Sequence, residues 1–245
     1  MRLSSFLRRN LIWNSGFTRL MDLLRRTLFK PVFDSCVRTP DLFRITSMKV
    51  LYNFCMRPEE IMKIADTIKE KAPCRMLVFG LGNDSGFWTR INSGGRTVFL
   101  EDNRAWMERI TSMDDSIEAY PVKYGTRLRQ WKELLKSPDD LDMDLPEEVV
   151  SVEWDIVLVD APKGCRENSP GRMKSIYTAA DIGISGTDVF VHDCNREIER
   201  VYCDEFLGER NLYLQVSRLR HYRLDLEDYM SIPAEVCCAD SRESN

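Results

Sequence analysis

The 245-residue sequence predicts an α/β fold with a doubly wound, mostly parallel sheet. Segments with strand character alternate with amphipathic segments, and this order produces parallel sheets with right-handed crossovers. The strongest strand candidates, Asp155–Asp160 with V-L-V and Thr187–His192 with V-F-V, have continuous apolar runs. Strands buried on both faces of a sheet have such runs, so helices are expected on both sides.

The predicted elements follow from local patterns. The helix that begins at Pro58 has acidic residues in its first turn and an apolar face at Ile61, Ile64 and Ile68. Further helices are predicted over residues 84–91, 104–111, 128–135, 171–182 and 196–207. The acidic, proline-containing stretch 137–153 predicts a loop. The predicted strands are Arg75–Gly80, Arg96–Glu101, Ile117–Val122, Asp155–Asp160, Thr187–His192, Tyr213–Ser217 and Leu219–Leu224.

Charge divides the chain into regions. Residues 1–50 carry ten Lys or Arg and three Asp, whereas the net charge of the whole chain is −4, so residues 51–245 carry −11. We predict a basic, helical N-terminal extension over 1–50, an α/β domain over 51–225 and a polar tail over 226–245. The acidic domain argues against a nucleic-acid partner. The basic N-terminus could contact a membrane surface, pack as an amphipathic helix or act as an organelle transit peptide.

The sequence has neither a long apolar run nor a cysteine pattern that indicates a metal site. No run approaches ~20 apolar residues, so we expect no transmembrane segment. The eight cysteines form no C-x-x-C pair and no zinc-type spacing, and they do not indicate the redox compartment.

A glycine turn after the first predicted strand indicates a nucleotide site. In M-L-V-F-G-L-G-N-D-S-G-F-W, Gly80 and Gly82 allow close approach of the backbone to a ligand. Glu101 ends the next strand 19 residues after Gly82, where an acidic residue accepts hydrogen bonds from ribose hydroxyls in nucleotide folds. A plain tight turn between strand and helix is the alternative. Three residues could cap the following helix: Asn83, Asp84 and Ser85.

The turn favours a cofactor without phosphate. A dinucleotide fingerprint requires a third glycine where Ser85 stands, and the carboxylate of Asp84 would repel pyrophosphate at the helix start. The cationic sulfonium of S-adenosyl-L-methionine suits this turn better. Val78 stands where methyltransferases usually have an acidic residue, so contacts to the amino-acid part of that cofactor must come from elsewhere.

The reacting groups are expected at the carboxyl ends of two later strands. Asp160 ends V-L-V-D, and His192 and Asp193 follow V-F-V. Ligands of open α/β sheets bind beyond these strand ends. Neighbouring strands lie about 4.8 Å apart, so Asp160 and Asp193 could share a divalent metal ion, with Asn195 as a third oxygen ligand. They could instead supply the base that removes a hydroxyl proton. The alternatives are that Asp160 caps a turn and that His192 is a hydrogen-bonded core residue.

Cationic residues near this end could bind an acidic acceptor. Arg172 opens a predicted helix after Pro170–Gly171, where a guanidinium could bind a carboxylate with two hydrogen bonds. The run R-L-R-H-Y near the last strand adds Arg218, Arg220 and His221. All of these could equally be solvated or bonded within the protein.

Several motifs together resemble the plant glucuronoxylan 4-O-methyltransferase and irregular-xylem family. They are L-V-F-G-L-G-N-D-S-G-F-W, G-G-R-T-V-F-L-E-D, W-D-I-V-L-V-D-A-P-K-G, P-G-R-M-K-S-I-Y-T-A, T-D-V-F-V-H-D-C-N-R-E-I-E and R-L-R-H-Y, in the family's order. The resemblance runs from about Cys74 to Leu224. It implies a Rossmann-like methyltransferase fold and transfer of methyl from S-adenosylmethionine to the 4-hydroxyl of glucuronic acid on xylan, in the Golgi, with a divalent metal. The family's functional positions match Gly80, Gly82, Asp84, Ser85, Glu101, Asp160, Arg172, His192 and Asp193.

Three functions therefore remain as hypotheses. The first is a polysaccharide O-methyltransferase with an acidic acceptor. The second is an O-methyltransferase of a small hydroxylated molecule, and the third is a xylan-assembly protein that keeps the fold without chemistry. A cytoplasmic or organellar location is the alternative to the Golgi. The sequence leaves the acceptor, the metal and the oligomeric state open.

Overall fold

The computed structural model describes residues 30–52 and 54–225, and within them strands and helices alternate as expected. The helices are α1 Lys30–Arg38, α2 Leu42–Tyr52, α3 Pro58–Lys71, α4 Ser85–Ile91, α5 Arg104–Thr111, α6 Trp131–Lys136, α7 Glu147–Val150, α8 Met173–Asp181 and α9 Glu197–Phe206. The strands are β1 Arg75–Phe79, β2 Arg96–Glu101, β3 Glu118–Pro121, β4 Ile156–Val159, β5 Asp188–Val191, β6 Leu212–Val216 and β7 Leu219–Arg223.

The seven strands form one sheet in the order β3-β2-β1-β4-β5-β7-β6. From β1 the chain forms β2 and β3 toward one edge of the sheet, and β4 and β5 then follow on the other side of β1. Strand β4 pairs in parallel with both β1 and β5, whereas β7 is antiparallel to β5 and to β6. The α/β prediction with a doubly wound, mostly parallel sheet is confirmed.

The chain divides into two compact units. Of the described residues, the first unit contains those up to 74, 81–99 and 103–119, and the second contains 75–80, 100–102 and 120–225. In the first unit, the aromatic ring of Phe87 contacts those of Phe33, Phe54 and Trp88 at centroid distances of 6.4, 6.2 and 5.0 Å. The predicted apolar face of α3 is fully buried there.

The core of the second unit consists of β1, β4 and β5. Every residue of β4 is fully buried, and its register pairs Phe79 with Val159 and Val159 with Val191. The three parallel strands therefore end level with one another. The residues that follow them, Gly80, Asp160 and His192, are brought to one edge.

Several boundaries and one element differ from the sequence prediction. The stretch 137–153 is not a plain loop, because it contains a 3-10 turn at Pro138–Leu141 and the short helix Glu147–Val150. The predicted helix 128–135 begins as a 3-10 turn and continues as Trp131–Lys136. Helix α8 begins at Met173, so Arg172 is its N-cap residue.

The terminal predictions fall largely outside the described residues. Within the predicted extension, residues 30–38 are helical and so are residues 42–50, whose helix continues to residue 52, but all of 1–29 and the whole tail 226–245 lie outside the described part. Between residues 30 and 225, no helix combines the length and apolar character needed to cross a membrane. The extents of the three predicted regions remain predictions.

Candidate active site

The polar side chains that follow β4 and β5 meet in the second unit, as the rule for parallel strands predicts. The Nδ1 atom of His192 lies 2.8 Å from Asp160 Oδ1. The imidazole is almost fully buried, whereas the Asp160 side chain keeps a quarter of its surface exposed. With Nδ1 donating to the carboxylate, Nε2 of the neutral ring is the nitrogen that can accept a proton.

Asp160 is held in its ionised form. Burial by itself raises the pKa of this carboxyl, but the hydrogen bond with His192 and the positive charge of Arg172 outweigh it. The pKa therefore lies below the ordinary aspartate value. An ionised Asp160 can orient His192 and stabilise the imidazolium that proton uptake would create.

Arg172 lies at the centre of this cluster. Its Nη2 is 3.0 Å from Asp160 Oδ1 and 2.9 Å from Asp193 Oδ2, and it also donates to the Asp160 carbonyl at 2.8 Å. Its Nη1 donates to the carbonyl of His192. Only 5% of Arg172 is exposed, so both Nη atoms are used inside the protein. Arg172 therefore does not present a free guanidinium for the two-pronged contact with an acceptor carboxylate that the sequence predicted.

Three guanidinium groups form ion pairs with the Asp193 carboxylate. In addition to Arg172, Arg196 Nη2 lies 2.9 Å from its Oδ2 and Arg218 Nη1 lies 3.2 Å from its Oδ1. The backbone at Asp193 has φ +64°, a left-handed conformation that aspartate tolerates better than most residues. Arg196 also pairs with the buried Glu199 at 3.0 Å, so the cluster continues into α9.

Tyr124, which the sequence reasoning missed, lies beside this cluster. Burial raises the pKa of its hydroxyl, and Ser175 and Arg172 offset only part of that effect. The carboxylates of Asp102 and Glu101 act in the same direction as burial. Tyr124 follows β3 by three residues, so applying the strand-end rule to β3 would have found it.

The cofactor residues in the second unit also lie at strand ends. The amide of Gly80 donates to the carbonyl of Leu100 at 2.8 Å, which places Gly80 beside the end of β2 and hence beside Glu101. Glu101 is 8% exposed. Gly80 has φ +115°, and a Cβ there would lie 2.8 Å from the Cβ of Ala161, so only glycine fits.

The rest of the glycine turn belongs to the first unit. The amide of Gly82 donates to Ser85 Oγ at 2.9 Å, and Ser85 is buried. Asp84 occupies the N-cap position of α4 but makes no side-chain cap bond. Its Oδ1 lies 2.4 Å from the point where a Gly82 Cβ would be. A side chain at position 82 would therefore clash with the Asp84 carboxylate unless that carboxylate moved.

Two of the predicted acceptor residues do not lie in the cluster. His221 is 1% exposed, stacks on Phe190 and pairs with Asp188 at 2.6 Å. Arg220 donates to the Tyr222 hydroxyl at 3.1 Å and also pairs with Asp204. The antiparallel register of β7 puts both residues alongside β5, so of the run R-L-R-H-Y it is Arg218, which precedes β7, that bonds Asp193.

The predicted metal group has suitable donor types but is already occupied by a guanidinium. One ligand atom each from Asp160, His192 and Asp193 lies within a 4.8 Å group. An ion shared by the two carboxylates would compete with Arg172 Nη2, which bonds both of them, and with Arg196 and Arg218, which bond both oxygens of Asp193. Asn195, the predicted third ligand, is exposed, and its carbonyl accepts a bond from Arg200 at 3.1 Å. The residues as folded do not fit a bridging ion.

The sequence matches one protein family over most of its described length. The family is described as IRX15/IRX15L/GXM, and the matched residues are 59–143 and 140–222. Together these ranges contain the glycine turn, Glu101 and every residue of the Asp160 cluster.

Curated relatives come from Arabidopsis thaliana. Glucuronoxylan 4-O-methyltransferase 1 is 40% identical over 174 residues, which are 62% of each chain. Arabinogalactan O-methyltransferase 2 is 37% identical, with 65% of this chain and 63% of the relative covered. Protein IRREGULAR XYLEM 15 is 36% identical, with 67% and 59% covered. The chain thus spans about 62% of the length of the first of these relatives.

Solved structures are more distant. The apo structure of CalS11, a TDP-rhamnose 3'-O-methyltransferase of calicheamicin biosynthesis, has a TM-score of 0.46 and 9% sequence identity. The match covers 88% of this chain and 97% of that one.

Proposed function

Because the chain belongs to the IRX15/IRX15L/GXM family, we propose that it is an S-adenosylmethionine-dependent O-methyltransferase of a polysaccharide. The acceptor we propose is the 4-hydroxyl of glucuronic acid on xylan-type chains. The names of relatives such as glucuronoxylan 4-O-methyltransferase 1 support this acceptor. The observation that carries the proposal is the ionised, partly exposed Asp160 bonded to His192 at the ends of β4 and β5.

The chemistry needs a proton acceptor beside the sugar hydroxyl. When bound, S-adenosylmethionine supplies the methyl group that ends on the acceptor oxygen. A sugar hydroxyl is a weak nucleophile at neutral pH, so a base that takes its proton as the new bond forms lowers the barrier. His192 would take that proton at Nε2, while Asp160 holds Nδ1 and balances the positive charge.

The three arginines stabilise the geometry of this pair. Arg172 bonds the carbonyls of Asp160 and His192 as well as both carboxylates, so it fixes the two strand ends relative to each other. Arg196 and Arg218 bond the Asp193 carboxylate and hold its orientation. We therefore propose Arg172 as a positioning residue. A catalytic metal would require displacement of Arg172, and treatment with a chelator tests that alternative.

The cofactor residues in the proposal are Glu101 and Gly80, both in the second unit. The carboxylate of Glu101 at the end of β2 suits ribose hydroxyls, and Gly80 lets the turn pass close to Ala161. Roles for Gly82, Asp84 and Ser85 in cofactor binding stay predictions from the sequence.

The function is tested by incubating the purified chain with methyl-labelled S-adenosylmethionine and a set of acceptors. The set contains a glucuronic-acid-bearing xylo-oligosaccharide, its carboxyl-reduced form, an arabinogalactan oligosaccharide and a small alcohol. We expect the label on the acidic oligosaccharide, detected by mass spectrometry. Label only on the small alcohol would contradict the polysaccharide acceptor. Cofactor binding without transfer to any acceptor would favour the assembly role.

The location is proposed with the same function. Residence in the Golgi fits an enzyme of polysaccharide synthesis, and imaging of a fluorescent fusion protein tests it against a cytoplasmic or organellar location.

A further inference from the structure

Two loops of the second unit carry cations on their outer side. Along residues 121–127 burial alternates strictly, with Val122, Tyr124 and Thr126 buried and the residues between them exposed. Lys123 and Arg127 are therefore both exposed, on either side of Gly125. Gly125 lies between them, and nothing stands within 4 Å of where its Cβ would be. The backbone at Gly125 is thus open to contact with a ligand.

The second loop is hydrogen-bonded to the first. The amide of Leu128 donates to the carbonyl of Ser169 at 2.7 Å, and the amide of Arg129 donates to the carbonyl of Glu167 at 3.2 Å. Thr126 Oγ1 donates to the carbonyl of Pro170 at 2.9 Å. These bonds hold the two backbones together, so their exposed side chains form one surface. We name this surface the cationic loop pair, and it consists of Lys123, Arg127, Arg129, Lys163 and Arg166.

The five cations have no carboxylate partner among the described residues. All five are exposed, and no ion pair within 4.0 Å involves any of them between residues 30 and 225. By contrast, most described arginines of the acidic chain, among them Arg75, Arg90 and Arg96, pair with an acid. Unpaired cations in a chain of net charge −4 form a local site of attraction for anions.

The cationic loop pair adjoins the reaction cluster. The amide of Gly171 donates to the carbonyl of Lys163 at 3.0 Å, and Arg172 is the next residue. Tyr124, which lies between Lys123 and Gly125 in sequence, is buried close enough to Arg172 for its hydroxyl pKa to respond. A chain bound along the loops would therefore reach the edge where Asp160 is partly exposed.

From these contacts we infer that the cationic loop pair is a binding site for a polyanionic glycan, with carboxylates spaced along the chain. The inference rests on the proposed function, because it treats the glycan as the acceptor polymer. It adds that the charge is recognised outside the reaction centre, on residues that take no part in the chemistry. Recognition of this kind would favour polymers over single sugars, because a polymer can place several carboxylates along the cationic loop pair.

The test compares matched charge reversals. Arg129→Glu and Lys163→Glu alter the surface, and Arg210→Glu makes the same charge change at an exposed arginine in the 3-10 turn before β6. The probe is a fluorescent xylo-oligosaccharide with several glucuronic acid residues, alongside its carboxyl-reduced form. Binding is measured by anisotropy at several salt concentrations, and methyl transfer gives kcat and KM separately.

We expect each surface variant to weaken binding of the acidic probe and raise its KM about threefold to tenfold, with kcat unchanged. Binding by the wild type should weaken with salt, and less steeply in the variants. The Arg210→Glu control and the carboxyl-reduced probe should show no such change. Equal losses in Arg210→Glu would overturn the inference, and so would equally tight binding of a single-stranded RNA of similar length.

The outcomes separate the two proposals. If no acceptor is methylated but acidic-probe binding depends on Arg129, the proposed function fails and the binding site stands. If the acidic oligosaccharide is methylated with the same KM by wild type and Arg129→Glu, the function stands and the binding site fails.

Discussion

Replacing Arg172 by lysine keeps the charge but removes the fork that joins two strand ends. The guanidinium bonds two carboxylates and two carbonyls, whereas lysine offers three donors from one nitrogen. We expect at least two charge-assisted contacts to be lost, at about 1.5–3 kcal/mol each, for a total of about 3–6 kcal/mol. Asp193 retains Arg196 and Arg218, which limits the loss.

That free energy corresponds to a fall in Tm of about 6–24 °C for a chain of this size. Thermal unfolding followed by fluorescence measures it, and Arg166→Lys, at an exposed position, serves as the matched control. In kinetics, Arg172→Lys should lower kcat equally for the acidic oligosaccharide and its carboxyl-reduced form. A Tm within about 2 °C of wild type, together with a raised KM for the acidic form alone, would refute the positioning role.

The other predictions concern the cofactor, the carboxylate pair and pH. Glu101→Ala should lose about 1.5–3 kcal/mol of cofactor binding, tenfold or more in affinity, and calorimetry with S-adenosylhomocysteine giving an unchanged affinity would sink the ribose role. Asp160→Asn and Asp193→Asn should be non-additive in kcat, because both act through Arg172; additive losses would argue for separate roles. Activity should survive a chelator, and loss with recovery on adding a divalent ion would restore the metal assignment. Because the folded pKa of Asp160 is depressed, its stabilisation is present above the unfolded pKa of about 3.9 and disappears as pH falls through the folded pKa. The free energy of unfolding of Asp160→Asn should therefore depend less on pH below about pH 4 than that of the wild type. The same pH dependence for both proteins in chemical denaturation would contradict a depressed pKa for Asp160.

The sequence predicts the strand ends well because parallel strands impose a simple rule. Apolar runs mark β4 and β5, and their shared register brings the next residues, Asp160 and His192, together. The same rule places Gly80 beside the end of β2. No such rule applies to 137–153, where acidic and proline residues hid the short helix Glu147–Val150.

The sequence predicts side-chain partners less well, because partners depend on strand direction and on the reach of long side chains. The antiparallel direction of β7 places His221 opposite Phe190 in mid-sheet, which the pattern R-L-R-H-Y does not reveal. A free and a buried arginine look alike in sequence, so the internal bonds of Arg172 could not be anticipated. Tyr124 was not predicted, because the strand-end rule was applied to β4 and β5 but not to β3.

We propose that the Asp160–His192 pair removes the proton from a sugar hydroxyl during methyl transfer. The measurement is the single-turnover rate of label transfer from S-adenosylmethionine to the glucuronic-acid-bearing xylo-oligosaccharide, for wild type and Asp160→Asn. Binding of S-adenosylhomocysteine is measured on both proteins. We expect equal cofactor affinity and transfer at least about a hundredfold slower in Asp160→Asn. Equal transfer rates in the two folded proteins would exclude a role for Asp160 in removing the hydroxyl proton.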